Sequence, residues 1–155
     1  SAYVRRHRAE LQREGGVIFN FDSFGSLFGW NVLSGSGQVE LDSQLAKYFA
    51  EQGQYFRREQ GVLPYADHFP FNAVGVPGLT LMRLNCASGR FFHHRADDDI
   101  SRLDFNVMAA SVNAVAAFTA AMAAMASLPF ALSIPDNEHE QIARCWDDLF
   151  GGWAE

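Results

Sequence analysis

Asp22 is the first side chain in this sequence whose setting suggests chemistry. It ends a short apolar run, Val17 to Asp22, which is bounded by glycine on one side and by Ser23-Phe24-Gly25 on the other. Such runs are typical of buried strands. Functional groups gather beyond the carboxyl ends of strands in open α/β sheets, so this carboxylate is well placed to meet a ligand. The simpler interpretation is an aspartate that caps a turn, and position alone leaves both open.

Two adjacent histidines form a second candidate. His93 and His94 follow two phenylalanines and precede three aspartates at positions 97 to 99. A zinc-binding imidazole usually has its other ring nitrogen held by a carboxylate or a carbonyl. Asp98, Asp97 or Asp67 could hold it here. The alternative is a surface histidine beside a solvated acidic run, and the local chemistry does not separate His93 from His94.

A third candidate is the pair Asp67-His68, which directly precedes Phe69-Pro70-Phe71. Polar groups embedded among aromatic residues must be hydrogen-bonded if they are buried. This pair could therefore orient a ligand, or it could tie down a loop.

Composition limits the class of protein. The 155 residues are 48% hydrophobic and 19% charged, as expected for a single globular domain spanning residues 1–155. The net charge of -6 argues against a nucleic-acid partner. Cys86 and Cys145 lie far apart and form no CxxC pair, so cysteine does not make a zinc site. Polar residues interrupt the apolar stretch from 105 to 128, which predicts a buried helix and no membrane span.

The elements that must position these residues alternate between helix and strand. In chain order they are a charged helix at 3–14, strands at 17–22 and 30–33, a helix from 43 to about 53, a strand at 79–84, a long helix from about 104 to 127 and an amphipathic helix after Pro135. The long helix carries an apolar stripe that is expected to be buried: Met108, Val112, Val115, Phe118, Met122 and Met125. This order predicts an α/β layered domain.

Three segments, in this order, resemble the second half of the peptidase domain of the M28 aminopeptidase family. They are Asn20-Phe21-Asp22 followed by Gly25, Ala66-Asp67-His68 leading to Gly75-Val76-Pro77, and His94 with Asp98 and Asp104. Both histidines have an aspartate four positions later. Only His94 is also followed, at the family's spacing, by a further aspartate, Asp104.

The resemblance implies a mixed β-sheet sandwiched between helix layers, of which this chain forms the C-terminal portion. It also implies a zinc-dependent exopeptidase that removes terminal residues from peptides. In the family two zinc ions polarise the scissile carbonyl and activate a water, and a glutamate is the general base. Carried over by motif, Asp22 is a ligand of one metal and His94 of the other. Asp67 and Asp98 hold neighbouring groups by hydrogen bonds and do not bind metal.

The departures from the family pattern are equally specific. The family's His-x-Asp motif, bridging carboxylate and Glu-Glu pair lie before the segment that begins this chain, and none occurs in these 155 residues. Ala66 replaces a serine, and Arg95 and Asp99 replace threonines. We therefore expect the isolated chain to bind zinc weakly, to lack peptidase activity and to self-associate. The alternatives are a non-catalytic α/β interaction module on the same scaffold and a glutaminyl-cyclase-like acyltransferase with a single zinc.

Overall fold

A mixed four-stranded sheet forms the centre of the protein in a computed structural model, which describes residues 1–153. The strands are β1 (Ile18–Phe21), β2 (Trp30–Ser36), β3 (Phe56–Gln60) and β4 (Gly78–Leu84). Their order in the sheet is β1-β4-β2-β3. β1 runs parallel to β4 and β2 runs parallel to β3, whereas β2 and β4 are antiparallel. The predicted mixed sheet is therefore confirmed.

Seven α-helices surround the sheet within residues 1–153. They are α1 (Ala2–Arg6), α2 (Arg8–Glu14), α3 (Val39–Glu51), α4 (Phe69–Asn72), α5 (Ala87–Phe91), α6 (Phe105–Ala123) and α7 (His139–Phe150). Short 3₁₀ turns at Ile100–Arg102 and Asp136–Glu138 precede the last two. His7 divides the predicted first helix into α1 and α2.

One face of the sheet packs against α3 and α6. Alternating strand residues supply its apolar side chains, and the two helices supply the rest. The buried members are Leu33, Leu41, Leu45, Phe49, Leu79, Leu81, Ala114, Val115 and Phe118. Phe118 meets Phe19 and Tyr48 edge to face, with ring centroids 5.9 Å and 5.6 Å apart.

The opposite face is covered by α4 and by the two ends of the chain. Phe69 of α4 packs with Ile142 and Trp146 of α7, while Val4 of α1 packs with Val74 and Val76. The sheet is thus enclosed between helix layers, as expected for this fold class.

The long apolar helix α6 is only partly buried. Ser111, Ala114, Val115 and Phe118 are buried, but Val112 and Met125 are 42% and 46% exposed. The prediction of a wide buried stripe is wrong for these two residues. α3 covers just one side of α6, which leaves Val112 exposed, and Met125 lies beyond the end of α6 at Ala123. Among the described residues, α6 is the one helix long and apolar enough to cross a membrane by length and composition.

Two strand predictions need correction. β3 was not predicted, because its sequence, Phe-Arg-Arg-Glu-Gln, lacks an apolar alternation; it forms by pairing its main chain with β2. β2 continues through Ser34-Gly35-Ser36, beyond the predicted strand end at 33, although serine and glycine favour turns. Its pairing with β4 runs to Ser36↔Gly78, so long-range hydrogen bonds override the local turn preference.

The strand directions bring four chain segments to one edge of the sheet, namely the edge formed by the ends of the strands. β1 and β4 end at this edge, and β2 and β3 begin there, because the two pairs run in opposite directions. Asp22, Trp30 and the residues that follow β4 are therefore neighbours along this edge. Ligands of open α/β sheets usually bind beyond the carboxyl ends of the strands, so this edge is the expected location of a site.

Candidate active site

Asp22 extends β1 by one residue and then leaves the sheet. Its N–H donates to the carbonyl of Leu81 at 3.0 Å, which continues the pairing with β4. Ser23 follows in a left-handed conformation (φ 47°), and its hydroxyl donates to the Asp22 carboxylate at 3.3 Å. The side chain is exposed at the carboxyl end of the strand. Asp22 thus lies where the chain bends away from the sheet, and its side chain is open to a ligand.

A cavity of about 370 Å³, here called the Asp22 cavity, opens at this point. Asp22 and His93 contribute its acidic and imidazole groups, and Leu63, Met82 and Leu84 contribute apolar walls. Met82 and Leu84 alternate with the core residues of β4, so they face the α4 side of the sheet. An apolar recess with a few convergent polar groups is the usual form of a small-molecule site.

The histidine pair lies in the loop after α5. His93 borders the Asp22 cavity. His94 adopts a left-handed conformation (φ 59°), and its ring stacks on that of His93 with centroids 3.9 Å apart. The structure therefore brings Asp22 and the histidine pair to one place. Within it, His93 is the member on the cavity wall, whereas the motif spacing had selected His94.

Contacts near both ends of residues 88–104, here called the histidine loop, fasten this segment to the loop after β1. The N–H of Ser88 donates to the Ser26 hydroxyl at 2.8 Å. The N–H of Asp104 donates to the carbonyl of Gly25 at 2.6 Å. Ser26 and Leu103 form an isolated antiparallel bridge. The segments that carry Asp22 and His93 are thus held together by hydrogen bonds near both ends of the histidine loop.

Asp98 and Asp104 have defined structural roles. The Asp98 carboxylate accepts from the Ser88 hydroxyl at 2.9 Å and borders a smaller cavity of about 100 Å³ together with His93 and Ser23. Asp104 caps α6 by accepting from the N–H groups of Asn106 and Val107. No hydrogen bond joins an aspartate to the ring of either histidine among residues 1–153, so the expected support of His94 by Asp98 stays a prediction.

Asp67 lies elsewhere. It borders a second open cavity, beside Leu149 and Phe150 of α7. Its predecessors Tyr65 and Ala66 line both this cavity and the Asp22 cavity. Asp67 therefore directly follows two residues of the Asp22 cavity in the sequence but does not line that cavity. Its supporting role stays a prediction.

His68 is fully buried between α4 and the sheet. Its Nδ1 is hydrogen-bonded to the Thr80 hydroxyl, which also accepts from the Asn20 amide at 3.3 Å. Nε2 has no partner among the described residues. Burial, with a smaller contribution from the Arg58 charge, lowers the pKa of His68 to about 4, although Asp67 acts to raise it. His68 is therefore neutral at pH 7 and ties its loop to the sheet.

Asp99 is the last residue of the acidic run beside the histidines. Hydrogen bonds from the hydroxyl and N–H of Ser101 hold the pKa of Asp99 below its usual range. This adds a fixed negative charge to the loop that carries the histidine pair.

The residues present do not complete a zinc site. A catalytic zinc usually has three protein ligands, and no group of three His, Cys, Asp or Glu side chains able to hold a metal occurs within residues 1–153. The Asp22 cavity brings together one carboxylate and one imidazole. Both groups can bind zinc, but they are too few to form a catalytic zinc site.

Sequence reasoning missed the cavity walls. Leu63, Met82 and Leu84 were not singled out, since apolar residues are common in any core. A usable signal exists in β4, where Met82 and Leu84 lie on the face opposite to Leu79 and Leu81. Their position beside a strand-end aspartate depends on the pairing of β1 with β4, which the sequence does not reveal.

Comparisons with known proteins identify the family. The model of peptidase family M28 matches residues 1–119. No curated protein matches. A solved aminopeptidase from Aneurinibacillus sp. strain AM-1 has the same fold, with a TM-score of 0.57 and 16% identity over 84% of this chain. The match covers 31% of that aminopeptidase, so this chain spans about a third of its length. Because the family model matches most of its residues, this chain belongs to peptidase family M28.

Proposed function

We propose that this chain is part of a zinc-dependent exopeptidase of the aminopeptidase type, which hydrolyses terminal peptide bonds. The observation that carries the proposal is the meeting of Asp22 and the His93-His94 pair beside one cavity. Membership of the family supports it. The apolar wall of the cavity suits the side chain of a peptide's terminal residue.

In this proposal Asp22 and His94 each bind one zinc ion. Their assignment follows the family motif, in which two zinc ions share one centre. The remaining ligands and the general base come from sequence outside these 155 residues, since the described residues hold no group of three. The isolated chain therefore binds zinc weakly and has no peptidase activity.

The test of the ligands uses the longer protein that carries this chain. We expect Asp22→Asn and His94→Gln each to lower kcat/KM on amino-acid p-nitroanilides by roughly a hundredfold or more, because each removes one of the few ligands. The matched control is His93→Gln, which removes the stacked neighbour and is expected to cost less than about tenfold. A larger loss for His93→Gln than for His94→Gln would transfer the ligand role to His93.

Metal content gives an independent measurement. Two zinc ions per chain in the longer protein support the exopeptidase. A single zinc would instead favour the glutaminyl-cyclase-like acyltransferase, with Asp22 as a catalytic carboxylate. Hydrolysis by the purified 155-residue chain with bound metal would contradict its proposed inactivity.

The shortage of ligands favours one other candidate, a non-catalytic interaction module on the same scaffold. The substitutions at Ala66, Arg95 and Asp99 support it, because they change the residues around the candidate site. The coding sequence before Ser1 separates the two proposals. His-x-Asp and Glu-Glu motifs there support the enzyme, and their absence supports the module.

We also propose that the isolated chain self-associates through the free edge of β1. This edge strand consists of Ile18, Phe19, Asn20 and Phe21, all half-buried and none charged. The other edge strand, β3, carries Arg57, Arg58 and Glu59, and charges of this kind discourage pairing between molecules. Light scattering over a rising concentration series should show dimers or larger species. A monomer at the highest concentration would contradict the proposal.

A further inference from the structure

A polar cavity of about 230 Å³, here called the Arg83 cavity, lies at the same edge of the sheet as Asp22. Arg83 pairs with Asn31 across β4 and β2, and strand alternation places both on the α3 and α6 side. Met82 and Leu84, which line the Asp22 cavity, face the opposite side. The two cavities are thus on different faces of the sheet, although Arg83 borders both.

The Arg83 guanidinium has donors to spare. It donates through Nε to the carbonyl of Phe28 at 2.7 Å, through Nη1 to Asn31 Oδ1 at 2.7 Å and through Nη2 to the carbonyl of Gly29 at 3.3 Å. A guanidinium carries five N–H groups, so two remain. No carboxylate lies within ion-pair distance of Arg83 among residues 1–153.

Gln54 provides a second donor group in the cavity. Gln54 Oε1 accepts from Asn31 at 2.9 Å and from the Ser111 hydroxyl at 3.0 Å, which fixes its amide orientation. Its NH₂ group has no protein acceptor among the described residues. Trp30 also borders the cavity, but strand alternation places its ring on the opposite face of the sheet, where Arg57 lies over it.

The cavity is locally positive in an acidic protein. Its lining contains Arg83 and no acidic residue, whereas the chain has 18 acidic residues and a net charge of -6. Arg57, which lies over the Trp30 ring, is neutralised by its ion pair with Glu59. One uncompensated guanidinium therefore faces a recess to which Gln54 adds an NH₂ group without a protein acceptor among the described residues.

We propose that the Arg83 cavity binds the carboxylate of a small molecule of amino-acid size. A planar carboxylate accepts from a guanidinium and an amide at once, and charge-assisted bonds of this kind are stronger than neutral ones. One cationic group neutralises one carboxylate, whereas a phosphate near pH 7 carries up to about two negative charges. This site is separate from the proposed zinc centre, and it does not depend on peptidase activity.

The test is a binding titration of the ¹⁵N-labelled 155-residue chain at pH 7, followed through the side-chain N–H signals of Gln54 and Arg83. Acetylglycine presents a terminal carboxylate, acetylglutamate amide presents a side-chain carboxylate, and acetylglycinamide is the neutral match of the first. We expect saturable shifts with the first two probes and none with the third. The tighter of the two carboxylates identifies the source of the ligand group.

Gln54→Glu is the decisive variant. It keeps the oxygen that accepts from Asn31 and Ser111, but it replaces the donor with a negative charge. We expect acetylglycine to bind about tenfold or more weakly, which corresponds to about 1.4 kcal/mol. Gln44→Glu adds the same charge at a half-buried position of α3, where the side chain bonds only to Lys47 among the described residues, and this variant should bind as the unchanged chain does.

Three results would overturn the proposal. They are no saturable shift with either carboxylate, equal responses to acetylglycine and acetylglycinamide, and undiminished binding by Gln54→Glu. Tighter binding of inorganic phosphate than of acetylglycine would overturn the assignment to carboxylates. Because the readout is binding, failure here leaves the peptidase proposal unaffected.

Discussion

Both faces of the sheet bury apolar clusters, but they differ in how the polar groups beside those clusters are arranged. On the side of α3 and α6, the buried cluster around Leu45, Phe49 and Phe118 is apolar. On the side of α4, His68 and Thr80 are fully buried and hydrogen-bonded to each other.

Apolar burial and polar burial contribute to the stability of the protein in different ways. Apolar burial gains free energy roughly in proportion to area, with little dependence on geometry or pH. Buried polar groups must each find a partner, so the face near α4 depends on the placement of single atoms. This is also the face on which the Asp22 cavity opens, beside Met82 and Leu84. The comparison teaches that the Asp22 cavity opens on the face that buries a titratable imidazole against the strands.

The largest expected effect is on the apolar face. Phe118→Ala removes a side chain that is 2% exposed and that contacts Phe19 and Tyr48. We expect the free energy of unfolding to fall by about 3–5 kcal/mol, through lost burial and the cavity left behind. Urea denaturation would measure it. The control is Val112→Ala, on the exposed side of α6, which should cost less than about 1 kcal/mol. Similar losses for both variants would contradict the assigned core.

The next effect is a pH dependence on the other face. The pKa of His68 is about 4 in the folded protein and 6.5 ordinarily. The unfolded chain therefore takes up a proton below pH 6.5, whereas the folded protein does not until about pH 4. Stability is fully present above pH 6.5 and falls between these values by roughly 3 kcal/mol in total. Denaturation curves at several pH values would measure this loss.

The matched comparison for the pH effect uses His139, which is exposed at the start of α7. His139→Gln should retain the acid-induced loss, while His68→Gln should remove most of it. If His68→Gln does not fold, the pH series on the unchanged chain still decides. A flat stability between pH 6.5 and 4 would contradict a neutral buried His68.

The smallest expected effect tests one hydrogen-bonding group. Thr80→Val keeps the shape of the side chain but removes the hydroxyl that bonds to His68 and Asn20. We expect a loss of about 1–3 kcal/mol in the free energy of unfolding, because buried polar atoms lose their partner. Thr119→Val is the control on α6, where an exposed threonine donates to the carbonyl of Val115. An equal loss in the control would mean that the buried network adds nothing.

Much of the fold is predictable because its signals are local. The apolar run of β1, the alternation in β4 and the long apolar pattern of α6 each specify their element within a few residues. β3 is not predictable in this way, since Phe-Arg-Arg-Glu-Gln becomes a strand only when β2 supplies a partner. The exposure of Val112 likewise depends on which side of α6 faces α3.

The candidate site likewise combines a feature that the sequence predicts with one that depends on long-range contacts. The position of Asp22 after a strand is a local feature, and the sequence predicts it. Which histidine borders the cavity depends on the left-handed backbone of His94 and on the contacts that fasten its loop. Such contacts join residues far apart in the chain, so motif spacing alone does not resolve the pair.

The sequence by itself determined the M28 family, the layered α/β class and the order of three motif segments, because these depend on patterns within short stretches. Only the tertiary structure decided that Asp22 and His93 share a cavity, that His68 is buried and uncharged, and that Arg83 has donors to spare. These properties depend on segments brought together by strand pairing. The free energy of each group is set by neighbours that its own stretch of sequence does not contain.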